Sequence, residues 1–307
     1  MNVTLLGPQR RAAAARAAVA ELMPDGEIAT VNAGWQERET DSGELSEVLG
    51  GRMLNLELYR RWQDVIAADE EYAVAERRLT SLLAEIQAVY AIRLHHLMAA
   101  LGAIGRRREI PAVQASAVDD TYRALQDLDR WHLGVVAQTR AAFFDSVRLG
   151  ERDSIVAQRK AVAPLVERCS GMVFAGGHVG VLLHVLHIFD VSRLVKQPVV
   201  AWSAGAMALS DRVVLYNDFA PQGSRPAELY ADGLGVYSGV LPFPHPRRRL
   251  KLDDAEHLSQ MARRFDPRTC LLLADGVRVD IHDDRPLPAG ARVLVADGGV
   301  TTVQDPR

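Results

Sequence analysis

Cysteine is nearly absent. Cys169 and Cys270 are the only two in 307 residues, which excludes a disulfide framework, a Cys-rich zinc site and a cysteine-ligated cluster and favours the reducing cell interior. An excess of charge of either sign is also missing. With 36 basic side chains against 39 acidic ones and a formal net charge of −3, nothing in the balance points to nucleic acid or a membrane surface as partner. No apolar run reaches the roughly 18 uninterrupted residues that a spanning helix needs. The N-terminus lacks a basic start, a long apolar run and a small-residue cleavage site in that order. The expectation is a soluble, cytoplasmic protein. Repeats, low-complexity tracts and proline-rich linkers are absent as well. So are a Gly-x-Gly-x-x-Gly turn, a phosphate loop and any metal-ligand spacing of histidines or carboxylates, so neither a cofactor nor a metal is expected.

What is present is a 48% hydrophobic composition, enough for a sizeable core in one large domain or two ordinary ones. The two ends read differently from the middle. Residues 3–6 are a short apolar run closed by Gly7-Pro8, residues 11–22 have high helix propensity, and residues 27–32 are a second apolar run. That is the opening of a βαβ unit. From 44 to 166 almost nothing reads as strand. Leu79, Leu83, Ile86, Tyr90, Leu94, Leu97 and Leu101 recur at spacings of three and four, the stripe of one long helix ending near Gly102, Gly105 and Arg106-Arg107-Arg108. Residues 119–147 predict a second, carrying Tyr122, Leu125, Leu128 and Trp131 on one face. The α/β rhythm returns at Gly171, with strands expected at 172–175, 198–202, 213–216, 235–241, 269–273, 277–281 and 292–296 and a helix at 179–189. Alternating strands and helices argue for a three-layer fold, a mostly parallel sheet flanked by helices, with a long helical insertion after the second strand. The expected division is residues 1–40 and 167–307 as the α/β core and 41–166 as the insertion.

The strongest local signal is Val199-Val200-Ala201-Trp202-Ser203-Ala204-Gly205. An apolar strand runs into a serine, and small residues follow where a helix must start. A sharp strand-to-helix turn of this kind pushes the serine Oγ out at the carboxyl end of the sheet. On the preceding strand, Ala175-Gly176-Gly177-His178 is a glycine turn that either serves only the chain path or offers N–H groups which, with that of Ala204, would hold a developing oxyanion. Ligands of open α/β sheets bind outside the carboxyl ends of the strands, where both turns fall. Of nine histidines, His95, His96 and His132 fall in the helical segment and His184 and His187 on the helix after the glycine turn, where packing is the default. His245 follows a strand and sits between Pro244 and Pro246, which fix its backbone as a catalytic imidazole on a loop requires.

The order strand-Gly-Gly, then Trp-Ser-Ala-Gly, then Pro-x-His resembles the peptidase E and cyanophycinase family of serine peptidases, whose fold is that of the class I glutamine amidotransferases, a flavodoxin-like architecture. The resemblance covers residues 1–35 and about 171–300; the helical segment has no counterpart in the short members. It implies that Ser203 is the nucleophile, with Ala201 where the family's elbow has glycine. It implies that His245 is the base, in Phe243-Pro244-His245 for the family's Asn-Pro-His. Ala175-Gly176-Gly177-His178 corresponds to a Gly-Gly-Gly-Asn turn with one glycine fewer. Asp275, in Ala274-Asp275-Gly276, occupies the place of the family's acidic residue and is the first choice to orient His245. Asp218, in an Asn217-Asp218 pair that the family also has, is the second. Either carboxylate can equally cap a turn.

The expected activity is therefore that of a serine hydrolase acting on a small peptide or isopeptide through an acyl-serine. Trp202, Gly176, Gly177, His178, Ala204 and Arg247 are expected around the substrate. Arg247-Arg248-Arg249 would meet a substrate carboxylate or be a solvated run, and Trp35 would line the same face or only lead into the insertion. Two alternatives remain open at this level: an esterase or acyltransferase with the same residues, and a silent relative that uses the helical insertion to bind a partner or form a homodimer.

Overall fold

Alternate residues of the central strands point into two different cores. The computed structural model describes residues 2–9, 14–107, 109–221, 225–282 and 285–304. Its first elements are β1 (Asn2–Leu6), α1 (Ala14–Leu22), β2 (Ile28–Val31), α2 (Gly43–Val48) and β3 (Met53–Asn55). Four helices follow, α3 (Leu58–Ala68), α4 (Glu70–Gly105), α5 (Pro111–Ser146) and α6 (Asp153–Glu167). Then come β4 (Gly171–Phe174), α7 (Val179–Ile188), β5 (Val199–Trp202), α8 (Ala204–Leu209), β6 (Arg212–Leu215), β7 (Glu228–Asp232), β8 (Val240–Pro244) and α9 (Pro246–Arg249). The chain closes with α10 (Ala255–Phe265), β9 (Thr269–Leu273), β10 (Arg278–His282), β11 (Arg292–Leu294) and β12 (Val300–Thr302). Arg10, Arg11, the start of the 11–22 segment and Arg108 lie outside the described residues.

Six strands form the central sheet in the order β10-β1-β5-β4-β2-β3, parallel except for β10. Leu6, Ile28, Val173, Val200 and Trp202 face one side, against α1 and α2. Leu5, Ala29, Phe174 and Ala201 face the other, in the large core shared with α7 and α8. Burial on both faces explains the near-continuous apolar runs of these strands. The result is the expected α/β fold with a mostly parallel sheet. A second sheet, β12-β11-β9-β8, has β8 and β9 parallel, and β6 and β7 form a bulged antiparallel pair.

Three strands escape the sequence pattern, and one moves a boundary. β3 is three half-buried residues at the sheet edge, paired only with β2, too short for a period to show. The helical segment consequently follows the third strand rather than the second, and begins at Leu58 rather than at 41. β7 and β12 were also not expected. The 235–241 stretch becomes strand only at Val240, with Tyr237 making a single bridge to Ser210.

α4 and α5, each of 36 residues, form an antiparallel hairpin. The predicted stripe is its seam: Tyr90, Leu94 and Leu101 pack against Tyr122, Leu125 and Leu128. At the tip, Gln114 donates to the carbonyls of Ile104 (3.1 Å) and Gly105 (2.8 Å), groups a helix end leaves without partners. At the base, a buried network ties the hairpin to the body. Arg264 of α10 donates to Asp129 of α5 from Nε (2.8 Å) and Nη2 (2.6 Å), and to the Tyr90 hydroxyl (2.7 Å). That hydroxyl donates to Asp129 (2.7 Å) and accepts from the Leu229 N–H of β7 (3.1 Å). By length and composition α4 is apolar enough to cross a membrane, and only 17% of its most apolar window is buried.

Candidate active site

Ser203 joins β5 to α8 with φ 50° and ψ −123°. Few non-glycine residues adopt positive φ, and each costs of order 1–3 kcal/mol, so such a residue is retained only where its surroundings over-determine it. Here they do. Gly205 is packed so tightly on the end of β4 that a Cβ would lie 2.3 Å from the Phe174 carbonyl oxygen. The turn is thereby pinned to the neighbouring strand. On that strand Gly176 faces the serine: a Cβ at 176 would sit 2.9 Å from the Ser203 Cβ and 3.5 Å from its Oγ. The glycine turn and the serine turn thus lie side by side at the carboxyl edge of the sheet. Ala204 opens α8, and the first-turn N–H groups of a helix have no acceptor in their own helix.

The strand after the β6–β7 pair brings the histidine. β8 ends at Pro244, His245 takes a left-handed conformation (φ 57°, ψ 41°), and α9 starts at Pro246. Its Nε2 lies 3.1 Å from Ser203 Oγ. For Nε2 to accept the hydroxyl proton, the ring must carry its own proton on Nδ1. The residues that hold this loop in place were not singled out in the sequence. Tyr216, buried at the end of β6, donates its hydroxyl hydrogen to the Pro244 carbonyl, and its ring packs on Phe243. The His245 carbonyl accepts from Arg248 (2.9 Å) and Arg249 (3.1 Å).

Asp218 follows Tyr216 closely and is 5% exposed. Its N–H donates to the Arg249 carbonyl (2.8 Å) and its Oδ2 accepts from Lys251 N–H (2.8 Å). Oδ2 also lies 3.0 Å from His257 Nε2 of α10, at ion-pair distance but without hydrogen-bond alignment. Burial opposes its ionisation, yet the His257 ring and the Lys251 N–H together hold its carboxyl below the ordinary carboxylate range. An acid with a lowered folded pKa stabilises the fold above its unfolded pKa, about 3.9, and that contribution is lost as pH falls through the lower folded value. Asp218→Asn is therefore expected to lower stability at neutral pH, by roughly 1–3 kcal/mol, with the difference between variant and wild type shrinking as pH falls through the lowered folded value. Urea denaturation across pH measures both.

The other predicted residues are spread more widely. Asp275 is exposed in the turn from β9 to β10, and its carboxylate makes no hydrogen bond or ion pair among the described residues. His178 is exposed after the glycine turn; its Nδ1 caps α7 by accepting from Val181 N–H (3.1 Å), while its N–H donates to the Gly34 carbonyl (2.7 Å). Gly34 therefore props the glycine turn from the segment after β2, a role that Asn32-Ala33-Gly34 does not advertise. Trp202 is buried, and Trp35 is half-buried against the same cluster. Arg247, Arg248 and Arg249 are exposed on α9. The remaining histidines pack or face solvent. His184 pairs with Glu76 (2.9 Å), His187 is pushed down to about 4 by burial and by Arg140, His132 stacks on Tyr90, and His95 and His96 are exposed. Among the described residues no cluster of three or more His, Cys, Asp or Glu is arranged to hold a metal.

Comparison with known proteins adds little to this geometry. No family model matches the chain, and no curated protein does. Among solved structures, a peptidase from an acI-B1 Actinobacterium aligns over 96% of this chain and 91% of its own, at 12% identity and a TM-score of 0.43.

Proposed function

We propose that the protein is a serine hydrolase that cleaves an amide bond in a small peptide or isopeptide, with a site like that of peptidase E on a class I glutamine amidotransferase-like core. The observation that carries this reading is the 3.1 Å approach of Ser203 Oγ to His245 Nε2, made by two residues that both hold positive φ at strand ends. In this reading His245 takes the hydroxyl proton as Oγ attacks the carbonyl carbon. The N–H groups of Gly177 and Ala204 receive the oxyanion, and His245 returns the proton to the leaving amine. Water then enters by the same base and releases the acyl group. Asp218, which anchors the loop beyond His245, is the carboxylate we favour for positioning the base over the exposed Asp275. Arg247, exposed beside that loop, would meet a substrate carboxylate in this reading.

Amide hydrolysis of a short-peptide library by the wild type, scored against Ser203→Ala, tests the proposal. Release of free amines by the wild type alone is expected. Turnover of esters with no amide cleaved by any member would reassign the site to an esterase, and equal release by both proteins would remove Ser203 from the chemistry.

A further inference from the structure

The outer face of α4, turned away from the hairpin seam, carries a second repeat. Leu82, Glu85, Val89, Ile92, His96, Ala99 and Ala103 follow one another at alternating spacings of three and four and are all exposed, with Leu82, Val89 and Ile92 at 51%, 40% and 60%. Alternation of three and four is the heptad pattern of a helix that packs along another helix. Large exposed aliphatics concentrated on one helix mark an interaction surface. At 1.5 Å per residue the row is about 32 Å long.

The polar members of the row select the partner. Pairing two copies of α4 in parallel would set Glu85 on Glu85 and His96 on His96. An antiparallel pairing that places Val89 opposite Ile92 of a second copy sets Glu85 opposite His96 and Leu82 opposite Ala99, each contact occurring twice about a two-fold axis. Sliding either helix by one heptad puts Glu85 against Val89 or Ala103, leaving a carboxylate without a partner in the seam. Only the first of these antiparallel registers matches polar with polar and apolar with apolar from Leu82 to Ala99. It also opposes Ala103 to Arg78, whose alkyl stem can cover it. Arg93, which lies over the Trp131 ring (4.5 Å), borders the row.

We infer that the protein forms an antiparallel homodimer through this face of α4, with Val89 and Ile92 at its centre and Glu85 and His96 pairing across it. Sedimentation of the full chain over a range of concentrations should give a reversible dimer. Ile92→Glu should raise its dissociation constant about thirtyfold or more without altering the circular dichroism. Glu85→Lys should weaken it and Glu85→Lys with His96→Asp restore it. The register is read by cysteine cross-linking: Val89→Cys and Ile92→Cys chains should cross-link when mixed and not when each is oxidised alone. A wild type that stays monomeric at high concentration, including one that co-sediments with anionic lipid vesicles instead, overturns the inference. So does cross-linking of Val89→Cys to itself, which would report a parallel pair.

Discussion

His245→Ala is expected to lower kcat/KM for a cleaved peptide on the order of 10⁴-fold, and Ser203→Ala added to it is expected to change little more. The two side chains act as one unit. A serine hydroxyl without its base remains protonated at neutral pH, and a base without its nucleophile has nothing to deprotonate on the enzyme. Effects that would multiply for independent groups therefore saturate. The 3.1 Å approach makes this specific, because Nε2 is already within transfer distance of Oγ. Residual rate would come from the N–H groups beside Ser203, which neither substitution removes. Two variants whose losses multiply in the double variant would show that the residues do not share a step. Melting curves check that the comparison is fair, since His245 is half-buried in a loop held chiefly by its carbonyl and by Tyr216.

Asp129→Ala is expected to cost about 3–5 kcal/mol in chemical denaturation. Asp129 and Arg264 are each 4% exposed, and removing the carboxylate strands a guanidinium that then has only the Ala227 carbonyl (2.6 Å) and the Tyr90 hydroxyl as acceptors. An uncompensated buried charge is what makes breaking one partner so damaging, whereas replacing the whole set with apolar residues is much better tolerated. Tyr90→Phe, Asp129→Leu and Arg264→Met together should accordingly recover part of the loss, short of what the Leu229 N–H and Ala227 carbonyl lose with their partners. Destabilisation by Asp129→Ala below about 1 kcal/mol would mean that the hairpin base is open to water.

The contrast between these residues and the active-site pair shows what a sequence can reveal. Ser203 and His245 are legible because their neighbours are local: an apolar strand and small residues around the serine, two prolines around the histidine. The stripe from Leu79 to Leu101 is legible for the same reason, as a period along one helix. Asp129 and Arg264 are not, because α5 and α10 meet only in the folded chain. Tyr216 ends a strand that the pattern finds, yet nothing local says that its hydroxyl reaches the Pro244 carbonyl. α3 begins without a cap of its own, and the Glu39 carboxylate supplies one to Tyr59 N–H (3.0 Å) and Arg60 N–H (2.9 Å). Asp218 and Asp275 look alike as acids after strands; only the folded chain buries Asp218 beside Lys251 N–H and His257 and leaves Asp275 exposed. The short edge strand β3 left no period to read, which is why the helical segment begins later than its composition implies. The outer row of α4 was hidden differently. It runs along the same helix as the inner stripe, and its Glu85, His96, Ala99 and Ala103 make it the less apolar of the two periods.

Covalent labelling by a fluorophosphonate reads directly whether Ser203 is an activated nucleophile, because it needs no knowledge of the substrate. A serine activated by a neighbouring base displaces fluoride and keeps the phosphonyl group, and peptide mass spectrometry locates it. One phosphonyl group per chain is expected, on Ser203, absent from Ser203→Ala and reduced to background in His245→Ala. A folded wild-type protein that takes up no label, or a label that persists on another residue when Ser203 is alanine, would contradict it.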